Sequence, residues 1–226
     1  MAGFDKKENE RTQRPLPPEG QHLALCYSII DLGTQAKQYP GKPPTEAHDI
    51  QVAWELPKHR AVFNEEAGEQ PMALFQTYTF SLSEKANFRK MMDSWTGKQV
   101  KSLSNETMKK FLGKPCMIQV VHKPSKDGKL KYANIALNGL AVYKRPADVP
   151  FPKTTENEQL FLSLDEFSWT TFEKITKYIQ EIVKRSKEWG SILRKFPEPG
   201  VAPQSTAVME DQVGGISDNF EEEDPF

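Results

Sequence analysis

The chain has 226 residues, of which 30 are Lys or Arg and 31 are Asp or Glu, for a formal net charge of −1. Aromatic residues at 10% are enough for one sizeable packed domain, while 37% apolar residues leave room for polar ends. No run of 18 or more apolar residues occurs, which excludes a membrane-spanning helix, and the first 20 residues hold no apolar stretch of the kind a secretory signal needs.

The elements follow in chain order. Residues 1–20 are polar and charged, end in Pro15, Pro17 and Pro18, and read as a flexible arm. Leu23, Leu25, Tyr27 and Ile29 then alternate with smaller or polar residues, the period of a half-buried strand that closes at Gly33. The YPGKPP segment at 39–44 is a loop. A second strand places Ile50, Val52, Trp54 and Leu56 on one face and ends at Pro57, and residues 58–71 read as a long loop. A third strand spans 73–82, with Leu74, Tyr78, Phe80 and Leu82 on one face and Phe75, Thr77 and Thr79 on the other.

Ser83 is placed to cap a helix through Trp95, and Gly97 to stop it. Ser104 caps a second helix that ends by Gly113. The β-branched run at 115–122 predicts a fourth strand, 123–130 a hairpin loop turning at Asp127 and Gly128, and 131–143 a fifth strand that bends at Gly139. A short apolar run at 160–164 follows. Phe172, Ile175, Ile179, Ile182 and Val183 then form the stripe of a long helix over 169–189, capped by Ser168, within a C-terminal helical stretch of about 165–196. Three strands, a helical insert and two further strands is the chain order of an OB-fold, a five-stranded Greek-key barrel that binds oligonucleotides. The expected organisation is an arm at 1–20, a mainly β, OB-fold-like domain over 21–197 that includes the C-terminal helix, and a disordered acidic tail at 198–226.

The charge is unevenly placed. Residues 210–226 hold seven acids and no Lys or Arg, whereas residues 98–153 hold twelve basic and three acidic side chains. A basic body with an acidic tail is a sequence signal for nucleic-acid contact or for a docking tail. Catalytic signals are missing. The four His residues are scattered, no metal-ligand spacing such as CxxC or HExxH occurs, and no phosphate-cradling Gly-rich loop is present. The sequence therefore predicts a protein that is not an enzyme and uses no metal or cofactor. Cys26 and Cys116 read as buried small residues in a reducing, cytoplasmic setting.

Binding of single strands without sequence preference needs cations that track phosphates and flat rings on which bases stack. The hairpin offers His122, Lys123, Lys126, Lys129, Lys131 and Tyr132. Tyr39 and Lys42 stand in the YPGKPP loop, and Lys58, Arg60 and Phe63 follow the second strand. Phe75 shares a strand face with two threonines and is the strand-borne candidate, whereas Trp54 belongs to an apolar face and reads as core.

The last nine residues are DNFEEEDPF. This ending is similar to the acidic Pro-Phe tip of bacterial single-stranded DNA-binding proteins. By that resemblance Asp218, Phe220, Glu221, Glu222, Glu223, Asp224, Pro225 and Phe226 form a segment that docks on partner proteins, the ring in an apolar pocket and the acids on basic groups. The body, over roughly residues 22–150, resembles a family of phage-encoded single-stranded DNA-binding proteins with an OB-fold. The motifs are IIDLGTQ at 29–35, YPGKPP at 39–44, WELP at 54–57, SLSEKANFRK at 81–90, FLGKPCMIQVVHK at 111–123 and YANI at 132–135. The resemblance implies a protein of the bacterial host cytoplasm that coats single-stranded DNA during replication, recombination and repair. Its tail would recruit polymerase, helicase–primase or nuclease partners. The competing expectation is a virion-associated or scaffolding adaptor with no affinity for nucleic acid.

Overall fold

The structure is a computed structural model that describes residues 13–144 and 154–200. The expectations for residues 1–12 and for the acidic segment 201–226, including Asp218 to Phe226, lie outside the described residues.

The fold is mainly β. Its strands are β1 (Gly20–Lys37), β2 (Thr45–Asn64), β3 (Gly68–Thr79), β4 (Pro115–Pro124), β5 (Lys131–Val142) and a short β6 (Leu160–Leu162). The helices are α1 (Asn87–Thr96), α2 (Asn105–Lys109), α3 (Trp169–Lys174), α4 (Lys177–Lys184) and α5 (Trp189–Lys195). One six-stranded sheet runs in the order β3-β2-β1-β4-β5, with β6 attached to β1. Neighbours on the main path are antiparallel, and β6 pairs parallel to β1.

Two apolar cores lie on opposite faces of β1. The larger holds Ile50, Val52, Trp54 and Leu56 of β2 with Phe88, Met91, Met92 and Trp95 of α1, so the expected inner face of β2 is observed, Trp54 as core included. The smaller packs Ile30 and Leu32 of β1 against Leu162, Phe167, Phe172, Ile179 and Val183. One strand can feed two cores because its register shifts between Cys26 and Ser28. The extra residue inverts the side-chain alternation. Ala24, Cys26 and Ile29 therefore meet the larger core, where simple alternation pointed to Leu23, Leu25, Tyr27 and Ile29; Leu25 is buried, but outside that cluster.

Several boundaries differ from the sequence expectation. Strand β2 continues through Pro57 to Asn64, and the long loop expected at 58–71 shrinks to residues 65–67. Pro57 is tolerated because the ladder skips from Leu56 to Arg60, so the missing N–H falls in a bulge. Helix α1 starts at Asn87 rather than at a Ser83 cap, since Ser83 closes a preceding turn by accepting from Ala86 N–H at 2.9 Å. Gly97 ends that helix in the left-handed region, φ 71°, as its position suggests.

The long helix over 169–189 does not form; α3, α4 and α5 replace it. Ile175 leaves the helical region (φ −75°, ψ 155°) with its side chain buried, and Thr176 starts a new helix by accepting from Ile179 N–H at 3.4 Å. The break strands backbone carbonyls at the end of α3. Gln180 Nε2 donates to those of Phe172 and Ile175 at 3.0 Å each, which holds the corner. Ser168 caps α3 as expected, accepting from Thr171 N–H.

The C-terminal segment is fastened over β2 by a buried carboxylate. Glu55, 1% exposed, accepts from the backbone N–H groups of Glu156 and Asn157 at 3.0 and 2.9 Å and from Asn157 Nδ2 at 2.8 Å. Glu188 ties the helical part to β1 by accepting from Thr34 N–H and Oγ1 at 2.8 and 2.6 Å. The outer side of β1 at Ile30 and Leu32 and of β2 at Glu55 is thereby covered, whereas Phe75 on the outer side of β3 stays exposed.

Candidate nucleic-acid interface

Strands β3 and β5 end the sheet path, and a groove of about 810 Å³ lies between them. Its walls are residues 72–75 of β3, residues 130–134 around the start of β5, Phe63 of β2 and residues 13–17. Three rings reach it: Phe75 is 67% exposed, Tyr132 49% and Phe63 48%. Arg14 and Lys131 supply positive charge, and no carboxylate is among the described residues that line it. Flat apolar faces, cations and an absence of acids suit an anion that carries aromatic rings.

The rings arrive for local reasons. Alternation on β3 turns Leu74 into the core and Phe75 outward, as the sequence expectation had it. Phe63 follows the β2 bulge, close to the turn that Gly68 closes at φ 67°. Tyr132 lies opposite Lys123 at the turn end of the β4–β5 hairpin.

Of the residues nominated from sequence, Phe63, Phe75, Lys131 and Tyr132 converge on this groove. Lys123, Lys126 and Lys129 are exposed on the adjoining hairpin. Its turn is built as expected: Gly128 takes φ 71°, Ser125 N–H donates to Leu130 O at 2.8 Å, and Asp127 Oδ1 accepts from Lys129 N–H at 3.1 Å. His122 is half-buried. Its ring meets Pro17 O at 2.8 Å and its backbone N–H donates to Glu19, so it holds the N-terminal segment rather than opening to the groove.

The remaining nominees stand elsewhere. Tyr39 and Lys42 are exposed in the β1–β2 loop, where Lys42 N–H donates to Tyr39 O at 3.1 Å. Lys58 is exposed in the β2 bulge. Arg60 is committed to carboxylates: it pairs with Glu156 and, at 3.5 Å, with Glu69, and these partners hold its guanidinium above its ordinary pKa.

Sequence reasoning missed the wall made by residues 13–17, which it read as part of a flexible arm. Gln13 and Pro17 bond to β5 and β4, and His22 Nε2 meets Pro18 O at 2.7 Å. The signal was present in Pro15, Pro17 and Pro18, since prolines fix an extended segment that can lie along a sheet margin.

Among the described residues no group of three or more His, Cys, Asp or Glu is arranged to hold a metal, and no helix is long and apolar enough to cross a membrane. Burial pushes the Cys26 and Cys116 thiols far above their ordinary range. No protein-family model matches the chain, and no curated protein matches it.

Proposed function

We propose that this protein binds single-stranded DNA without sequence preference, along the groove between β3 and β5, and coats it during replication, recombination or repair. In this reading the acidic segment 218–226 recruits the enzymes that act on the coated strand. The observation that carries the reading is the meeting of Phe63, Phe75 and Tyr132 with Arg14 and Lys131 in one groove lined by no described carboxylate. Bases stack on rings of this kind for about 1–3 kcal/mol each, whatever their identity. The architecture supports the same reading. The sheet path is β3-β2-β1-β4-β5, and we read it as that of an OB-fold-like barrel, in which the two end strands would face each other across the groove.

The test is a titration of the full chain with oligo-dT and with a matching duplex at two salt concentrations, followed by intrinsic fluorescence. Tighter binding of the single strand, weakened by salt and by Phe75→Ala or Tyr132→Ala, is expected. Indifference to oligo-dT in dilute buffer overturns the proposal and returns the adaptor reading.

A further inference from the structure

The next residues of the same two strands line a second hollow. It measures about 570 Å³ and is bounded by residues 76–79 of β3, residues 135–140 of β5 and the approach to α1. The two hollows are therefore consecutive stretches of one seam: Phe75 is followed by Gln76, and Asn134 by Ile135.

The second stretch has its own chemistry. Thr77, Thr79, Ser81, Ser83, Asn87 and Asn138 give it hydroxyls and amides. Among the described lining residues its one carboxylate, Asp49, is buried and accepts from Lys37 Nζ at 2.7 Å and Thr79 Oγ1 at 3.1 Å. The Lys37 charge balances it, and the exposed Lys85 adds a second cation. The first turn of α1 carries no acid, and Glu84, next to Lys85 in the chain, is exposed and does not line the hollow.

The wall opposite is shaped by a bulge in β5. Pairing jumps from Val120↔Ile135 to Ile118↔Leu140, and Asn138 sits at φ 57°, outside the usual range for a side-chain-bearing residue. Gly139 has no room for a Cβ, which would stand 2.8 Å from Ala136 O. The bulge holds Leu137 outward at 78% exposure, the most exposed large apolar side chain described. An apolar residue carried out of the core on a bulge of defined geometry, over a hollow with cations, is placed to meet a ligand with apolar faces and negative charge.

We infer that the two hollows form one continuous path for a single strand, and that the second is a separate subsite. Lys85 meets a backbone phosphate there and Leu137 packs on a base. The inference rests on the single-strand reading above. From Met72 to Thr79, β3 runs about 23 Å at roughly 3.3 Å per residue, a length suited to a strand of several nucleotides.

The experiment compares the wild-type chain with a Lys85→Ala/Leu137→Ala variant and with Leu137→Trp. Fluorescence anisotropy is read on oligo-dT of about four and about twelve nucleotides, the lower and middle part of the range one such domain covers. The double variant is expected to bind the short strand as wild type does. On the long strand it loses roughly tenfold in affinity, with a shallower salt slope. Leu137→Trp is expected to tighten the long strand alone. Equal losses at both lengths, or no change at either, overturn the second subsite while the single-strand reading stands. Failure of the wild-type chain to bind either length overturns both. The two side chains are exposed, so the fold does not depend on them.

Discussion

The side chain of Gln13 pairs with both main-chain groups of Lys131: Nε2 donates to the carbonyl at 3.1 Å and Oε1 accepts from the N–H at 2.8 Å. One amide side chain thus replaces a neighbouring strand where β5 begins, and it sets the groove wall that carries Arg14. Replacing Gln13 with Ala removes both bonds. A bond of this kind contributes about 0.5–1.5 kcal/mol net, so global stability changes little. The Lys131 amide, however, is expected to exchange with deuterium much faster than in wild type. Unchanged protection at Lys131 would show that the wall is held by other means.

Glu55 is the stronger fastening. Truncation to Ala leaves two backbone N–H groups and the Asn157 amide without their acceptor under the C-terminal segment. Bonds to a charged partner contribute about 1.5–3 kcal/mol each, so Glu55→Ala is expected to destabilise by roughly 3 kcal/mol or more. Glu55→Gln keeps the shape but turns one acceptor into a donor, and should fall between. Urea unfolding of the three proteins checks the order. A wild-type midpoint for Glu55→Ala would refute the role.

Two histidines oppose each other in their effect on stability with pH. His48 Nε2 lies 2.6 Å from Asp31 Oδ1, and this bond raises its pKa above 6.5. The folded state then holds the proton more tightly than the unfolded chain. The resulting stability is complete below pH 6.5 and is lost as pH rises through the folded value. For His59 desolvation is the first cause and the neighbouring His22 the second, and both lower its pKa. Its contribution has the other sign: stability falls as pH drops below 6.5. His48→Gln should therefore cost more stability at about pH 5.5 than at pH 8, and His59→Gln should gain relative to wild type on the same descent. Denaturant titrations across that range decide it, and parallel curves for all three proteins would dismiss both assignments.

How far the sequence was legible depended on what each residue had to satisfy. Strands with plain alternation, such as Ile50 to Leu56, and helix ends set by Ser104, Ser168 or Gly97, could be read because local chemistry alone decides them. The exposed ring of Phe75 was readable for the same reason. The break at Ile175 was not. A continuous helix satisfies the same apolar stripe, and only burial against β1 and the reach of Gln180 favour the corner. The ion pair of Arg60 was not legible, because its partner Glu156 is distant in sequence. The wall at residues 13–17 needed β5 in place before Gln13 had anything to pair with.

Cys26 and Cys116 have buried side chains whose thiols burial keeps protonated. A thiol reagent reacts with the thiolate at an accessible sulfur. The native protein is expected to show no reaction over the time in which the denatured chain titrates two thiols. Prompt labelling without denaturant would mean that the β1–β4 pairing opens readily.

The hairpin lysines supply the last prediction. Lys123, Lys126, Lys129 and Lys131 are exposed, while the turn is held by Ser125, Asp127 and Gly128. Changing all four to Ala therefore leaves the loop in shape and removes charge beside the aromatic groove. Each phosphate neutralised on a single strand contributes about 0.7 to the slope of log affinity against log salt. The variant should bind oligo-dT and oligo-dA more weakly by a similar factor, and its slope should be shallower by that amount for every phosphate left without a lysine. The rings stay in place, so residual binding should persist in high salt and disappear when Phe75→Ala is added. A variant that keeps the wild-type slope would place the phosphates elsewhere, with Arg14 and Lys85 the cations to examine next.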